Sequence, residues 1–189
     1  MSQERSADGR RRRGEDNRAR IVAAMLEIIQ EGEVSPSAEQ VAERADVGLR
    51  TVFRHFSDMD SLYSEMSEAI EQMMQAAVDR PFKSADPRER VVELVARRAA
   101  VFEKIAPFKR ASDVLRHRSR FLEAGSERLV AAPRMILVRE LPPQVDPLTV
   151  ETLDLLLSWE SWARLRREQG LSPARARQVL EASVRRLLA

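Results

Sequence analysis

The sequence predicts an all-α protein, and three observations predict it. Ala, Leu, Glu and Arg dominate, while glycine occurs only 6 times in 189 residues; these dominant types lose least side-chain freedom in a helix. Apolar residues recur at helical spacing along most of the chain, with no strand-like alternation, no Asn-Gly hairpin signal and no internal repeat. A capping side chain followed by proline at the first helical position occurs three times, at Asp86-Pro87, Asp146-Pro147 and Ser172-Pro173. About nine helices are expected, arranged as a three-helix helix-turn-helix domain followed by a larger helical domain.

The elements follow in order. Residues 1–14 read as a basic, disordered arm. From Asn17 as a cap, Ile21, Val22, Met25, Leu26, Ile28 and Ile29 predict an amphipathic helix ending near Gly32. Ser37 with Gln40 three residues on is a capping box, and Val41, Ala42 and Ala45 share one face of the helix it opens. Asp46, Val47 and Gly48 break the pattern before it resumes at Leu49, Val52, Phe53 and Phe56. Two short helices joined by such a turn define a helix-turn-helix over about 37–56, inside a domain of 15–60. Asp58 then caps a long helix stopped by Pro81, and residues 61–189 form the second domain. Between 107 and 141 Gly125 and Pro133 blur the pattern, so two or three segments with a break are expected.

Composition excludes several functions. Without cysteine there is no disulfide framework, thiolate zinc site or thiol nucleophile, and only His55 and His117 remain as imidazole ligands. No Gly-rich phosphate loop or metal-binding spacing is present, so neither an enzyme nor a bound cofactor or metal is expected. The N-terminus lacks the apolar stretch of a secretory signal, and Asp154 and Glu160 interrupt the most hydrophobic segment. A cytoplasmic protein without a membrane partner is the expectation. The rival class is a basic amphipathic protein that binds acidic membranes or nucleic acid without preference, using "ARLRRE" or "SVRRLL".

Formal net charge is only +2, so affinity for nucleic acid has to come from local clustering. Arg10, Arg11, Arg12 and Arg13, with Arg18 and Arg20, form one such cluster. It reads either as a solvated tail or as an arm that reaches phosphates or a minor groove. A second cluster lies on the helix from residue 49. Leu49, Val52 and Phe56 fall on one face, with Phe53 beside them, leaving Arg50, Thr51, Arg54 and His55 outside. Docked by its apolar edge, that helix fits a major groove, where arginine pairs with guanine edges. His55, near a helix end, also suits the macrodipole alone.

The stretch "PSAEQVAERADVGLRTVFRHFSDMDSLY" resembles the DNA-binding signature of the tetracycline-repressor (TetR) family of bacterial transcriptional regulators, over roughly residues 17–65. The resemblance implies that Thr51, Phe53 and His55 lie at the DNA backbone and groove. It puts Ser37 at a phosphate, and Gly48, Leu49 and Arg50 at the exposed start of the recognition helix. Four positions depart from the family pattern. Asp46 stands for the usual turn glycine, Gly48 for a serine, Phe53 for a tyrosine and Met59 for a lysine.

In the second domain Leu153, Leu155, Leu156, Leu157, Trp159, Trp162 and Leu165 cover most of a helix circumference, which asks for packing partners on two sides. With Val179, Leu180, Val184, Leu187 and Leu188 of the last helix they predict a four-helix interface in a homodimer. Leu155, Trp159, Val179, Leu180, Val184 and Leu187 are its candidates. A dimer would set two recognition helices about 34 Å apart on a pseudo-palindromic operator in double-stranded DNA. The family resemblance further implies a pocket for a small-molecule effector, for which Met66, Ile70, Met73, Phe102, Phe108, Leu115, Phe121 and Trp162 are the candidates.

Overall fold

Local capping chemistry sets where the helices begin. In a computed structural model of the chain, Ser37 is extended and its hydroxyl accepts from the Gln40 amide at 3.3 Å, while the Gln40 side chain accepts from the Ser37 amide at 2.7 Å. This reciprocal pair satisfies two amides that a helix start leaves without partners. Asp58, Asp146 and Ser172 accept in the same manner from Ser61, Thr149 and Arg175. The structure describes residues 2–78, 80–115, 119 and 131–189, with backbone only for 2–13, 73 and 75–78. All regular elements among them are helical.

The order is α1 (Ser2–Gln30), α2 (Ala38–Arg44), α3 (Leu49–His55), α4 (Met59–Val78), α5 (Pro87–Leu115) and α6 (131–140). There follow α7 (Pro147–Leu156), α8 (Trp159–Ala163), a π-helical turn (Arg164–Glu168) and α9 (Pro173–Leu187). Two compact units emerge, divided within α4 and within α5. The first comprises 1–71 with 107–125, the second 72–106 with 126–189. The expected boundary near residue 60 is therefore displaced by about half of α4.

In the first unit α1 packs on α2 and α3, and α2 packs on α3. Ile21, Met25, Val41, Val52, Phe56, Leu62 and Met66 are fully enclosed there. Helix α1 begins earlier than expected. Asn17 lies inside it, and residues 2–14 of the stretch expected as a disordered arm continue the same helix. No proline interrupts residues 1–30, so only Gly9 and Gly14, each at a cost of about 1 kcal/mol, oppose continuation.

The α2–α3 turn is a Schellman closure: the Val47 amide donates to Ala42 O at 3.0 Å and the Asp46 amide to Glu43 O at 3.1 Å. It requires a left-handed residue, and Asp46 supplies it at φ 52°. A side chain there costs more than glycine does. Asp46→Gly is accordingly expected to stabilise the protein by about 0.5–1 kcal/mol, read as a raised denaturation midpoint. A lowered midpoint would show that the Arg20 contacts to Asp46 outweigh the backbone cost.

In the second unit Val91, Val95, Leu137, Leu153, Leu157, Trp162, Ala176 and Val184 form the core. Pro107 lies inside α5, which runs through to Leu115. The segment 150–165, expected as helical throughout, is broken: the Ser158 hydroxyl accepts from the Ser161 amide at 3.2 Å and opens α8. A serine at this position competes for backbone donors, which the apolar periodicity on either side conceals.

Candidate nucleic-acid interface and ligand cleft

The orientation of α3 is set by what it buries. In α3, Val52 is 1% and Phe56 2% exposed, while Leu49 is 38% and Phe53 47% exposed. Gly48, Arg50 and Arg54 are exposed as well, and Thr51 and His55 are half-buried. Leu49 thus departs from the buried edge expected of it: as the first residue of its helix, it projects beyond the apolar seam. The exposed surface is a short row of Gly48, Leu49, Arg50, Phe53 and Arg54, with Ser37 exposed at the start of α2. No ion pair to Arg50 or Arg54 occurs among the described residues, so both guanidinium groups are available to an anion. The side chains of Arg10, Arg11, Arg12 and Arg13 lie outside the described residues.

Arg18 and Arg20, read from the sequence as part of a phosphate-seeking cluster, work inside the first unit instead. Arg18 donates to His55 O at 2.9 Å and to Glu65 at 2.5 Å, and its guanidinium sits 4.6 Å from the centre of the Phe56 ring. It ties the end of α3 to α1 and α4. Arg20 donates to Ala45 O at 2.6 Å and to Asp46 O at 3.2 Å, fixing the turn that aims α3. Charge count could not reveal this, because the acceptors, three backbone carbonyls and the Glu65 carboxylate, lie far along the chain.

The surroundings of His55 disfavour the cation that a helix end would favour. Its Nε2 is enclosed without a hydrogen-bond partner among the described residues, and the ring approaches α1 closely enough that a Cβ on Gly14 would meet Cε1 at 3.9 Å. Desolvation, with Arg54 and Arg18 adding repulsion, lowers its pKa below the usual 6.5. A base with a depressed folded pKa opposes folding once protonated, so its stability is intact above about pH 6.5 and falls as pH drops through that value. The urea midpoint is therefore expected to decrease between about pH 7.5 and about pH 5.5, and His55→Gln to flatten that part of the profile. An unaltered profile in the variant would assign the loss to other groups.

The second unit holds a cleft of about 510 Å³, its mouth included. Met74, Phe82, Leu94, Val101, Phe102 and Ile136 make its apolar walls, with Pro133, and Arg97 and Arg98 supply its charge. Arg97 donates to the carbonyls of Arg80 and Pro81 and stacks 3.8 Å from the Phe82 ring centre. Arg98, only 9% exposed, donates to Leu157 O at 2.8 Å and Pro133 O at 2.6 Å. Burial pushes its pKa down to about 10, partly countered by Asp154.

Of the described pocket residues expected from the sequence, only Phe102 lines this cleft. Met66, Ile70, Phe108 and Leu115 are buried in the first unit. Trp162 is core of the second, its Nε1 donating to Glu103 at 3.0 Å, with Phe102 6.4 Å from it ring to ring. The Met73 side chain and Phe121 lie outside the described residues. Methionines and aromatics at helical spacing mark a core regardless of whether it contains a cleft. The signal available was Arg98 itself, which continues the stripe Val91, Leu94, Val95, Phe102, Ile105 on the buried side of α5.

The expected dimer residues also divide. Leu180 and Val184 are buried within the chain's own second unit. Leu155 is 67% exposed, Leu187 is exposed, and Trp159 and Val179 are half-buried. Met135, Val138 and Leu148 are further exposed apolar residues of the second unit.

No family model matches the sequence, and no curated protein does. Solved structures do. The multidrug binding protein EbrR, solved with imidazole, is similar at 20% identity and a TM-score of 0.65 over 90% of this chain and 88% of that one. A TetR transcriptional regulator from Rhodococcus is similar at 18% identity and a TM-score of 0.56, over 93% and 97%. A regulator described as TetR-family, from Mesorhizobium loti, is similar at 20% identity and a TM-score of 0.50, over 93% and 96%. With its all-helical architecture and a helix-turn-helix in the first unit, the chain has the fold of the TetR-type transcriptional regulators.

Proposed function

We propose that this chain is a sequence-specific DNA-binding transcriptional regulator, a repressor that holds a pseudo-palindromic operator as a homodimer and releases it when a small molecule occupies the cleft of the second unit. The observation that carries the reading is the division of α3 and its C-cap: Val52 and Phe56 are buried while Arg50, Phe53 and Arg54 face outward, with no acidic partner to either arginine among the described residues. A helix so mounted presents two guanidinium groups to guanine edges or phosphates. The fold shared with TetR-type regulators, and a neighbour described as binding multiple drugs, support the same reading. Exposed Leu148, Leu155 and Leu187 supply apolar surface for a second copy.

Selection of bound sequences from random duplexes, followed by gel shift at about 150 mM salt, tests it, because non-specific phosphate binding is weak there. Two inverted half-sites about 34 Å apart are expected. Binding without sequence preference, matched by binding to acidic vesicles, would overturn the proposal in favour of a basic amphipathic protein.

A further inference from the structure

The cleft of the second unit carries information about its occupant. Its described lining is apolar except for Arg97 and Arg98, and no carboxylate is part of it. A lipophilic cation would bring a positive charge against two others. An anion meets the opposite situation. Arg97 is committed to the Arg80 and Pro81 carbonyls and the Phe82 ring, and Glu93 lies 3.7 Å from it. Arg98 is less compensated. A guanidinium this deeply buried ordinarily has a carboxylate partner, yet its hydrogen-bond acceptors here are two backbone carbonyls, leaving N–H donors over from its five. Asp154, the acid that acts on it through space, is itself hydrogen-bonded to Arg134 at 2.9 Å. The adjoining depression, which shares Met74, Arg97 and Val101, adds Arg80 and Lys104 and likewise no acid among its described lining.

Resting on the effector reading above, we infer that the cleft binds an apolar monoanion, a small carboxylic acid whose carboxylate meets Arg98 and whose aromatic or aliphatic body lies between Phe82, Leu94, Val101 and Phe102. The ligand supplies the negative charge that the protein withholds, and a charge-assisted hydrogen bond in an apolar cleft is the strong kind.

Isothermal titration of the full-length protein with phenylbutyrate, phenylbutanol and phenylbutylamine tests charge at constant shape, at concentrations to about 10 mM to suit fragment-sized ligands. Saturable binding of the acid is expected, with the alcohol at least about tenfold weaker and the amine weaker still. Arg98→Met should bring the acid down to the level of the alcohol. Val101→Trp, which fills the cleft and leaves both arginines in place, should abolish binding of all three. Should Arg98→Met lose its helical circular dichroism, Val101→Trp and the three-ligand comparison on the unaltered protein decide. Equal or stronger binding of the alcohol or amine, acid binding that survives Val101→Trp, or no saturation by the acid would each overturn the inference. Gel shift on the same samples without ligand reports the DNA-binding reading separately. Specific DNA binding without acid preference removes only the ligand class, and acid preference without DNA binding removes only the regulator.

Discussion

Phe56→Ala is expected to destabilise the first unit by about 3–5 kcal/mol, the range for deleting a buried aromatic side chain and leaving a cavity. The ring is enclosed at 2% exposure, closes α3 as its C-cap residue, and is the surface over which Arg18 stacks at 4.6 Å. Its loss removes the apolar contact together with the seat of the Arg18 guanidinium that joins α1, α3 and α4. Both tryptophans, Trp159 and Trp162, belong to the second unit. Urea unfolding followed by circular dichroism should therefore shift to lower concentration by more than the same transition followed by tryptophan fluorescence. Phe56→Leu, which keeps most of the volume, should cost less than about 1.5 kcal/mol. An unmoved circular dichroism midpoint in Phe56→Ala would mean that α3 is not held by this ring.

The second large effect concerns binding. Arg50→Ala is expected to cost about 1–3 kcal/mol against the selected operator and to relax preference at one base position, the behaviour of a guanidinium paired with a guanine edge. Arg54→Ala, if that side chain meets phosphate instead, should weaken binding to all sequences alike and reduce the slope of log affinity against log salt by about 1. Neither residue has an ion pair within the described protein, so neither change should move the denaturation midpoint by more than about 0.5 kcal/mol. That separation matters: equal loss of affinity on cognate and unrelated DNA for both variants, or a large loss of stability, would take α3 out of the groove.

Arg18 and Arg50 show why charge alone could not sort these roles. Both belong to arginine-rich stretches with similar neighbours, and their chemistry is identical. Arg18 lies one turn before the apolar run of α1, so its side chain reaches the end of α3 and Glu65, 37 and 47 residues away in sequence. Arg50 is exposed, off the edge that Val52 and Phe56 bury. Similarly, Leu180 and Leu187 read as equivalent members of an apolar stripe on α9, yet one is buried by the rest of the unit and the other is left outside.

What the sequence determined by itself is local. Helix content, the capping box at Ser37, the proline-marked helix starts and the short turn at Asp46 to Gly48 all follow from hydrogen-bond partners and dihedral preferences within a few residues, and all were legible. What only the tertiary structure decided is which arginines are consumed by carbonyls far along the chain, which apolar residues line a cleft instead of filling a core, and that Arg98 is buried on the inner side of α5 without a carboxylate bonded to it. Those outcomes depend on contacts between segments tens of residues apart, where periodicity specifies a buried face but not the shape of what covers it.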